Sequence, residues 1–328
     1  MAVFSALSAF SSAHVDLESA SLVDTATKST ITVTDLWGTP VVGYEGSFTY
    51  KNDNLSGGSV KKITYYQDGE PLFNVTGAFS AKTLQDKVLS GDTEVLQTFL
   101  FAGNDTFRGS TDNDVFSFFG AGADTYFCGD GDDFVVCSLD ARSTVNGEAG
   151  DDILIASGLQ ASVNGGSGDD YLIVGAGANQ KFSCTLTGGV GDDYFEVTGN
   201  YKTTITDFTI GSDTLYLSLN SQLTSDSDFA KTLFDLTPFG FSSAFFYESQ
   251  VAVGAGLKAA RTQDERLIYD SKAGVLYLDK DGLGGNAPSQ IAVFKNKPAF
   301  TADTLSAAVE VIGVNGWTGP LPNLIAAL

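Results

Sequence analysis

Short apolar runs separated by turns rich in glycine and aspartate dominate the middle of the chain, between residues 98 and 218. Within each run, apolar and polar residues alternate, as in YFEV (194–197) and TVN (144–146). Alternation with a period of two predicts strands that bury one face. Because the runs recur along the segment, we expect repeats that stack and bury a continuous core.

The turns between these runs share the nine-residue pattern G-G-x-G-x-D-x-U-x, in which U is apolar. The clearest copies are GGVGDDYFE (188–196), GGSGDDYLI (165–173) and GEAGDDILI (147–155), with looser copies at 128–136 and 109–117. Glycine permits backbone conformations that turn carbonyl oxygens toward one point, and the sixth-position aspartate adds a carboxylate. Calcium prefers such oxygen ligands. The expected calcium-binding residues are Asp105, Asp114, Asp124, Asp133, Asp152, Asp170, Asp193, Asp213, Gly109, Gly129, Gly131, Gly147, Gly150, Gly165, Gly166, Gly168, Gly188, Gly189 and Gly191.

The spacing of the aspartates predicts how the repeats stack. From Asp105 to Asp193 the intervals are 9, 10, 9, 19, 18 and 23 residues. An interval of nine corresponds to half a turn of a two-sided coil and eighteen to a full turn, so two rows form. The long row is Asp114, Asp133, Asp152, Asp170 and Asp193, with Asp213 as its continuation, and the short row is Asp105 and Asp124. The inward residues form one apolar column: Phe107, Phe116, Tyr126, Val135, Leu154, Leu172 and Phe195.

These repeats resemble those of RTX proteins, including the C-terminal region of serralysin-type proteases and small secreted RTX proteins. Residues 205–218 and 266–294 are similar to the segments that close and follow such a β-roll. The resemblance implies several bound calcium ions, folding switched on by extracellular calcium, and type I export without a cleaved N-terminal signal. The C-terminal segment LPNLIAAL (321–328) is compatible with the uncleaved export signal of that family.

The flanking segments predict further β-structure. Residues 30–34, 47–50, 60–66 and 72–76 alternate in strand fashion, and residues 81–89 favour one helix. The predicted fold is therefore all-β: a β-rich N-terminal domain (1–97), a parallel β-roll solenoid (98–218) and a β-rich C-terminal capping and secretion-signal domain (219–328). Asp279, Asp281 and Gly282 form a D-x-D-G turn that fits either a further ion site or a hairpin turn.

Composition and motifs narrow the functional classes. With 40 acidic and 18 basic residues, the net charge of −22 opposes binding to nucleic acids or anionic membranes. No apolar run is long enough for a membrane span. The chain has one histidine, His14, and neither the HExxH helix of zinc proteases nor the GxSxG elbow of lipases. Its three cysteines form neither a disulfide framework nor a CxxC pair.

Together these features predict a secreted, non-enzymatic calcium-binding protein that serves as a cell-surface, S-layer-like or matrix and adhesion component. Its expected partners are calcium and either further copies of itself or a cell-surface polysaccharide. Two alternatives stay open. One is a polysaccharide-acting enzyme that uses carboxylates alone. The other is a module that binds polysaccharide or ice, the latter through files of Thr, Ser and Asn such as those in STVN (143–146) and ASVN (161–164).

Overall fold

The computed structural model describes residues 3–6, 22–34, 39–52, 54–88, 93–117, 122–137, 142–156, 160–174, 183–198, 202–219 and 243–313. The segment LPNLIAAL (321–328) and His14 lie outside these residues. The chain divides into two compact units, Met1–Gly168 and Asp169–Leu328. The three-domain division expected from the sequence stays a prediction.

The first unit begins with an antiparallel meander of long strands and two short helices. Its elements are β1 (Val3–Ala6), β2 (Leu22–Ala26), β3 (Thr30–Thr34), β4 (Pro40–Lys51), β5 (Asn54–Gln67), β6 (Glu70–Ser80), α1 (Ala81–Val88) and α2 (Thr93–Leu100). The strands β2 to β6 pair in chain order, and β1 pairs antiparallel with β6. The predicted strands and the helix α1 are confirmed, whereas α2 was not predicted.

Parallel strands form the solenoid of the first unit. They are β7 (Thr106–Arg108), β8 (Val115–Phe116), β9 (Thr125–Asp130), β10 (Phe134–Cys137), β11 (Thr144–Ala149), β12 (Ile153–Ala156) and β13 (Ser162–Ser167). One parallel sheet contains β7, β9, β11 and β13, and the other contains β8, β10 and β12. The strand β1 also pairs parallel with β7 and so connects the meander to the solenoid. Consecutive strands of each sheet are 18 or 19 residues apart, as the aspartate spacing predicted.

The second unit combines a parallel solenoid with antiparallel strands. Its strands are β14 (Tyr171–Val174), β15 (Ser183–Val190), β16 (Tyr194–Thr198), β17 (Lys202–Ile205), β18 (Thr214–Leu219), β19 (Ser243–Phe245), β20 (Val251–Gly254), β21 (Leu267–Asp270), β22 (Val275–Leu278), β23 (Ser289–Phe294) and β24 (Val309–Gly313). A 3₁₀ turn (Glu248–Gln250) precedes β20, and the helix α3 (Ala302–Ala308) precedes β24.

Two parallel ladders organise the second unit. The strands β14, β16, β18 and β24 form one, and β15, β17 and β23 form the other. The strands β21 and β22 extend the second ladder antiparallel from β23, and β20 pairs parallel with β21. The chain is thus mostly β, and its solenoid turns number about six, which confirms the predicted fold class.

A column of apolar side chains fills the space between the sheets of each solenoid. In the first unit, the predicted inward residues Phe107, Phe116, Tyr126, Val135 and Leu154 are all buried. In the second unit, Leu172 and Phe195 are fully buried as well. Because side chains alternate in direction along a strand, this burial fixes which residues of each turn face the core.

Candidate metal centre

Each predicted aspartate is buried and lies directly before a solenoid strand. In the first unit, Asp105 and Asp124 precede β7 and β9, and Asp114, Asp133 and Asp152 precede β8, β10 and β12. In the second unit, three further members of the long row precede strands: Asp170, Asp193 and Asp213. None of the eight side chains is more than 5% exposed. Burial of so many carboxyl groups is unusual, because aspartate is seldom fully buried without a partner.

Hydrogen bonds join each aspartate to the backbone of the neighbouring turn. The backbone N–H of Asp114 donates to Oδ1 of Asp133 at 2.6 Å, and that of Asp133 donates to Oδ1 of Asp152 at 2.8 Å. In the short row, Asp105 N donates to Asp124 Oδ1 at 2.8 Å. These bonds stack the carboxyl groups at the spacing of the strands, about 4.8 Å.

The second unit repeats this arrangement with slightly longer bonds. Asp170 N donates to Oδ1 of Asp193 at 3.1 Å, and Asp193 N donates to Oδ1 of Asp213 at 3.2 Å. The long row predicted from the sequence is therefore present as three stacked residues in each unit.

At Asp114 and Asp213, the second carboxylate oxygen turns back toward the start of the same loop. Asp114 Oδ2 accepts a hydrogen bond from Ser110 N at 2.5 Å, and Asp213 Oδ2 accepts one from Thr209 N at 2.7 Å. In contrast, Oδ2 of Asp133 is buried and has no hydrogen-bond partner among the described residues. An acceptor left in this state costs free energy unless another group satisfies it.

Glycines of the loops fall into two structural classes. At the second and fourth positions of the repeat, the backbone φ is positive, as at Gly129, Gly131, Gly150, Gly166, Gly168, Gly189 and Gly191. At the first position are Gly109, Gly147, Gly165 and Gly188, and their φ is not positive. There the requirement is for space, because a Cβ on Gly147 would overlap Oδ2 of Asp152, and one on Gly188 would overlap Oδ2 of Asp193.

The short row ends where the sequence predicted, but a serine extends its hydrogen-bonding pattern by one turn. Ser143 occupies the position 19 residues after Asp124 and precedes β11. Its side chain is buried, and its Oγ accepts a hydrogen bond from Asp124 N at 3.4 Å. Counting 19 residues beyond Asp124 would have identified Ser143, which the search for aspartates alone missed.

Five of the stacked carboxyl groups have raised pKa values: Asp124, Asp133, Asp152, Asp193 and Asp213. Burial is the largest cause, and repulsion between neighbouring carboxylates adds to it. The pKa of Asp133 and that of Asp152 rise to about 8, that of Asp193 to about 7 and that of Asp124 to about 6. Backbone N–H groups oppose these shifts without cancelling them. The folded protein thus favours either a proton or a cation at these sites.

This electrostatic pattern predicts an unusual pH dependence for protein freed of divalent ions. The folded-state pKa values lie above the ordinary aspartate value of about 3.9, so the folded state binds protons more tightly than the unfolded chain does. The contribution to stability is complete below about pH 4 and is lost as the pH rises through 6 to 8. In chelator, the far-ultraviolet β signal should therefore be larger at pH 5 than at pH 8. A β signal in chelator that grows as the pH rises would contradict the raised pKa values.

Beside the two rows of aspartates, the atoms that could coordinate a metal ion are mainly oxygen atoms of carboxylates and of the backbone. Within the described ranges, no three His, Cys, Asp or Glu side chains converge on one point. A cation at a loop would therefore rely on one or two carboxylates together with carbonyl oxygens. Such a donor set suits hard cations, above all calcium, and the buried oxygen of Asp133 fits this use.

The D-x-D-G turn between β22 and β23 uses its carboxylates to hold the loop. Asp279 accepts hydrogen bonds from Ala260 N and Asp281 N, and Asp281 Oδ2 accepts from the backbone and side chain of Asn286. Gly282 has a φ of 61°. These contacts support the interpretation of this motif as a turn.

Comparison with protein-family models, curated proteins and solved structures finds no match to this chain. The resemblance to RTX proteins therefore rests on the repeat pattern and on the stacked, buried aspartates within parallel β-solenoid turns.

Proposed function

We propose that the chain is a calcium-binding β-roll protein whose folding is coupled to calcium. The observation that carries this proposal is the ladder of buried carboxyl groups, in which Asp133 Oδ2 has no hydrogen-bond partner among the described residues. Repulsion within such a ladder opposes folding, and a divalent cation would convert it into attraction.

The chain's own groups have distinct tasks in this proposal. Asp114, Asp133 and Asp152 in the first unit, and their counterparts in the second, would each contribute a carboxylate. Glycine loops let the backbone approach closely enough for carbonyl oxygens to take part. Calcium, when bound, supplies positive charge between adjacent loops. Because the unfolded chain lacks preformed sites, the free energy of calcium binding becomes free energy of folding.

The same physics supports a secreted location. Extracellular calcium modules bind with Kd values of about 10⁻⁴ to 10⁻³ M, so they stay empty where calcium is scarce and fill outside the cell. We infer that the protein folds after export and then serves as a structural or adhesive component. Among the described residues, no helix has the length and apolarity needed to cross a membrane.

Calcium titration of the full chain tests this function. We expect chelator to abolish most of the far-ultraviolet β signal at neutral pH and millimolar calcium to restore it. Magnesium at the same concentration is the control, since its demand for octahedral geometry makes it a poor substitute. A spectrum that is unchanged by chelator and by calcium would contradict coupled folding.

Light scattering at high calcium separately tests assembly. A protein that stays monomeric would contradict the structural role but not the calcium-coupled folding.

A further inference from the structure

A buried arginine without a counter-ion lies in the second unit, at the start of β21. Arg266 directly precedes this strand and is only 7% exposed. No carboxylate oxygen of the described residues lies within 4.0 Å of its guanidinium nitrogens. Arginine is almost never buried unless it is paired, because an uncompensated charge is costly to remove from water. The burial of Arg266 therefore indicates a negatively charged partner from outside the described part of the chain.

Backbone carbonyls hold one end of the guanidinium group and leave the other end without a partner. Nη1 donates to the carbonyl oxygens of Gln263 at 2.5 Å and Glu265 at 2.9 Å. Nε is buried and has no hydrogen-bond partner, and Nη2 donates to none of the described residues. In a planar guanidinium group, Nε–H and Nη2–H point in the same direction and form an edge that binds an oxyanion through two parallel hydrogen bonds. In Arg266 it is this edge that lacks partners among the described residues.

The neighbouring carboxylates do not neutralise this charge. Both oxygens of Glu265 accept hydrogen bonds from Arg261, at 2.5 Å from its backbone N–H and at 2.9 Å from Nη2. Both oxygens of Asp279 accept from backbone N–H groups. Oδ1 of Asp281 is buried without a hydrogen-bond partner, but it too lies more than 4.0 Å from the guanidinium nitrogens. The positive charge therefore stays uncompensated within the described ranges.

Two loops hold the guanidinium group in a fixed position. Gln263 Nε2 donates to the carbonyl oxygen of Asp281 at 2.9 Å and so joins the loop before β21 to the loop after β22. Gly282 lies against the guanidinium group, since a Cβ there would be 2.8 Å from Arg266 Nη1. Because the side chain is ordered before a ligand arrives, little conformational entropy is lost when the ligand binds.

We propose that Arg266 is the binding site for one carboxylate group, carried by a small organic acid or by an acidic sugar. The two carboxylate oxygens accept from Nε–H and Nη2–H, and neither donor gives up a hydrogen bond to a described residue. Nη2 is the point of entry because it is not fully buried, and the atoms that cover Nε shift to admit the second oxygen. The site uses none of the stacked aspartates and does not depend on calcium in their loops.

Charge selects a carboxylate over a doubly charged oxyanion. One buried positive charge balances one carboxylate, whereas a sulfate or phosphate dianion would bring a second negative charge to the loops that contain Asp279 and Asp281. Like charges repel strongly where water is scarce. We therefore expect acetate to bind Arg266 more tightly than sulfate does.

Nuclear magnetic resonance of the arginine Nε–Hε groups tests this site in the full chain, kept in millimolar calcium. The probes are sodium acetate and sodium glucuronate, and sodium chloride at equal ionic strength is the control. We expect the Arg266 signal to shift saturably with both carboxylates, while the signal of Arg261, which already binds Glu265, stays in place. A Kd at least tenfold lower for glucuronate identifies an acidic sugar as the ligand, and equal values identify recognition of the carboxylate alone.

Thermal unfolding supplies a second readout. Acetate should raise Tm relative to chloride in the unaltered protein and in Arg108→Gln, a matched arginine variant of the first unit, but not in Arg266→Gln. Three results would overturn the proposal: an Arg266 signal that responds no more to acetate than to chloride, tighter binding of sulfate than of acetate, or a gain in Tm that persists in Arg266→Gln. If Arg266→Gln does not fold, the resonance of the unaltered protein still decides. An acetate shift in a protein whose fold ignores calcium would refute only the calcium proposal.

Discussion

Replacement of Asp152 by asparagine should weaken calcium binding at least tenfold, which corresponds to about 1.4 kcal/mol. The amide retains an oxygen that can accept the hydrogen bond from Asp133 N, now at 2.8 Å, but it removes a negative charge from the ladder. The number of charged ligands is a main determinant of calcium affinity, so the loss falls on binding. Isothermal titration calorimetry measures it directly.

In chelator, by contrast, the same substitution should stabilise the folded protein. Without calcium, burial and neighbouring carboxylates raise the pKa of Asp152 to about 8, so its charged form destabilises the fold at neutral pH. A neutral amide removes that penalty and should increase the fraction of calcium-free protein that stays folded at neutral pH, measured by its far-ultraviolet β signal. Asp151→Asn is the matched control, because it makes the same charge change at the adjacent, exposed position of the same loop. Equal effects of the two variants on calcium affinity would refute a metal role for Asp152. A change in stability of the same sign in calcium and in chelator would refute it as well.

Substitution of Gly150 by alanine should destabilise the calcium-bound protein by about 3 kcal/mol or more. Gly150 has a φ of 131°, and a Cβ there would overlap the carbonyl oxygen of Gly131 in the adjacent loop. The variant therefore combines backbone strain with a steric conflict that only a shift of the stacked loops relieves. Urea unfolding in saturating calcium measures the loss.

Gly103→Ala separates these two causes. Gly103 has a similar φ of 116°, but no heavy atom lies within 4 Å of an added Cβ. It should lose only about 1–2 kcal/mol, the cost of the backbone conformation. If Gly150→Ala and Gly103→Ala lower the free energy of unfolding by the same amount, close stacking of consecutive loops is not the reason that the loops need glycine.

The repeat allowed much of the solenoid to be predicted because its register depends on local sequence. An interval of 19 residues places Phe116 next to Val135 and Val135 next to Leu154 in successive strands, and all three are buried as expected. The order of the aspartate rows followed from the same interval. In these segments, turn chemistry and side-chain alternation favour one arrangement, so local and global preferences agree.

Elements determined by distant contacts were not predictable in the same way. The strand β23 pairs parallel with β17 although Phe294 and Ile205 are 89 residues apart in the sequence. Packing selects this pairing, since Phe294 contacts Phe208 and Phe300 through ring centroids 5.1 and 5.5 Å apart. No local pattern encodes those contacts.

Within the candidate site, the pattern indicated which residues matter but not every reason for them. Glycine at the first position was expected to provide conformational freedom, whereas at Gly147 it provides space for the Asp152 carboxylate. That role is visible only when the aspartate is seen to turn back over its own loop.

Anomalous diffraction from crystals grown in calcium tests the central claim most directly. The account predicts anomalous peaks beside the carboxylates of the long row, including Asp152 and Asp193. Chelation should remove these peaks or destroy the crystals. A fully folded molecule in millimolar calcium without any peak at these carboxylates would contradict it.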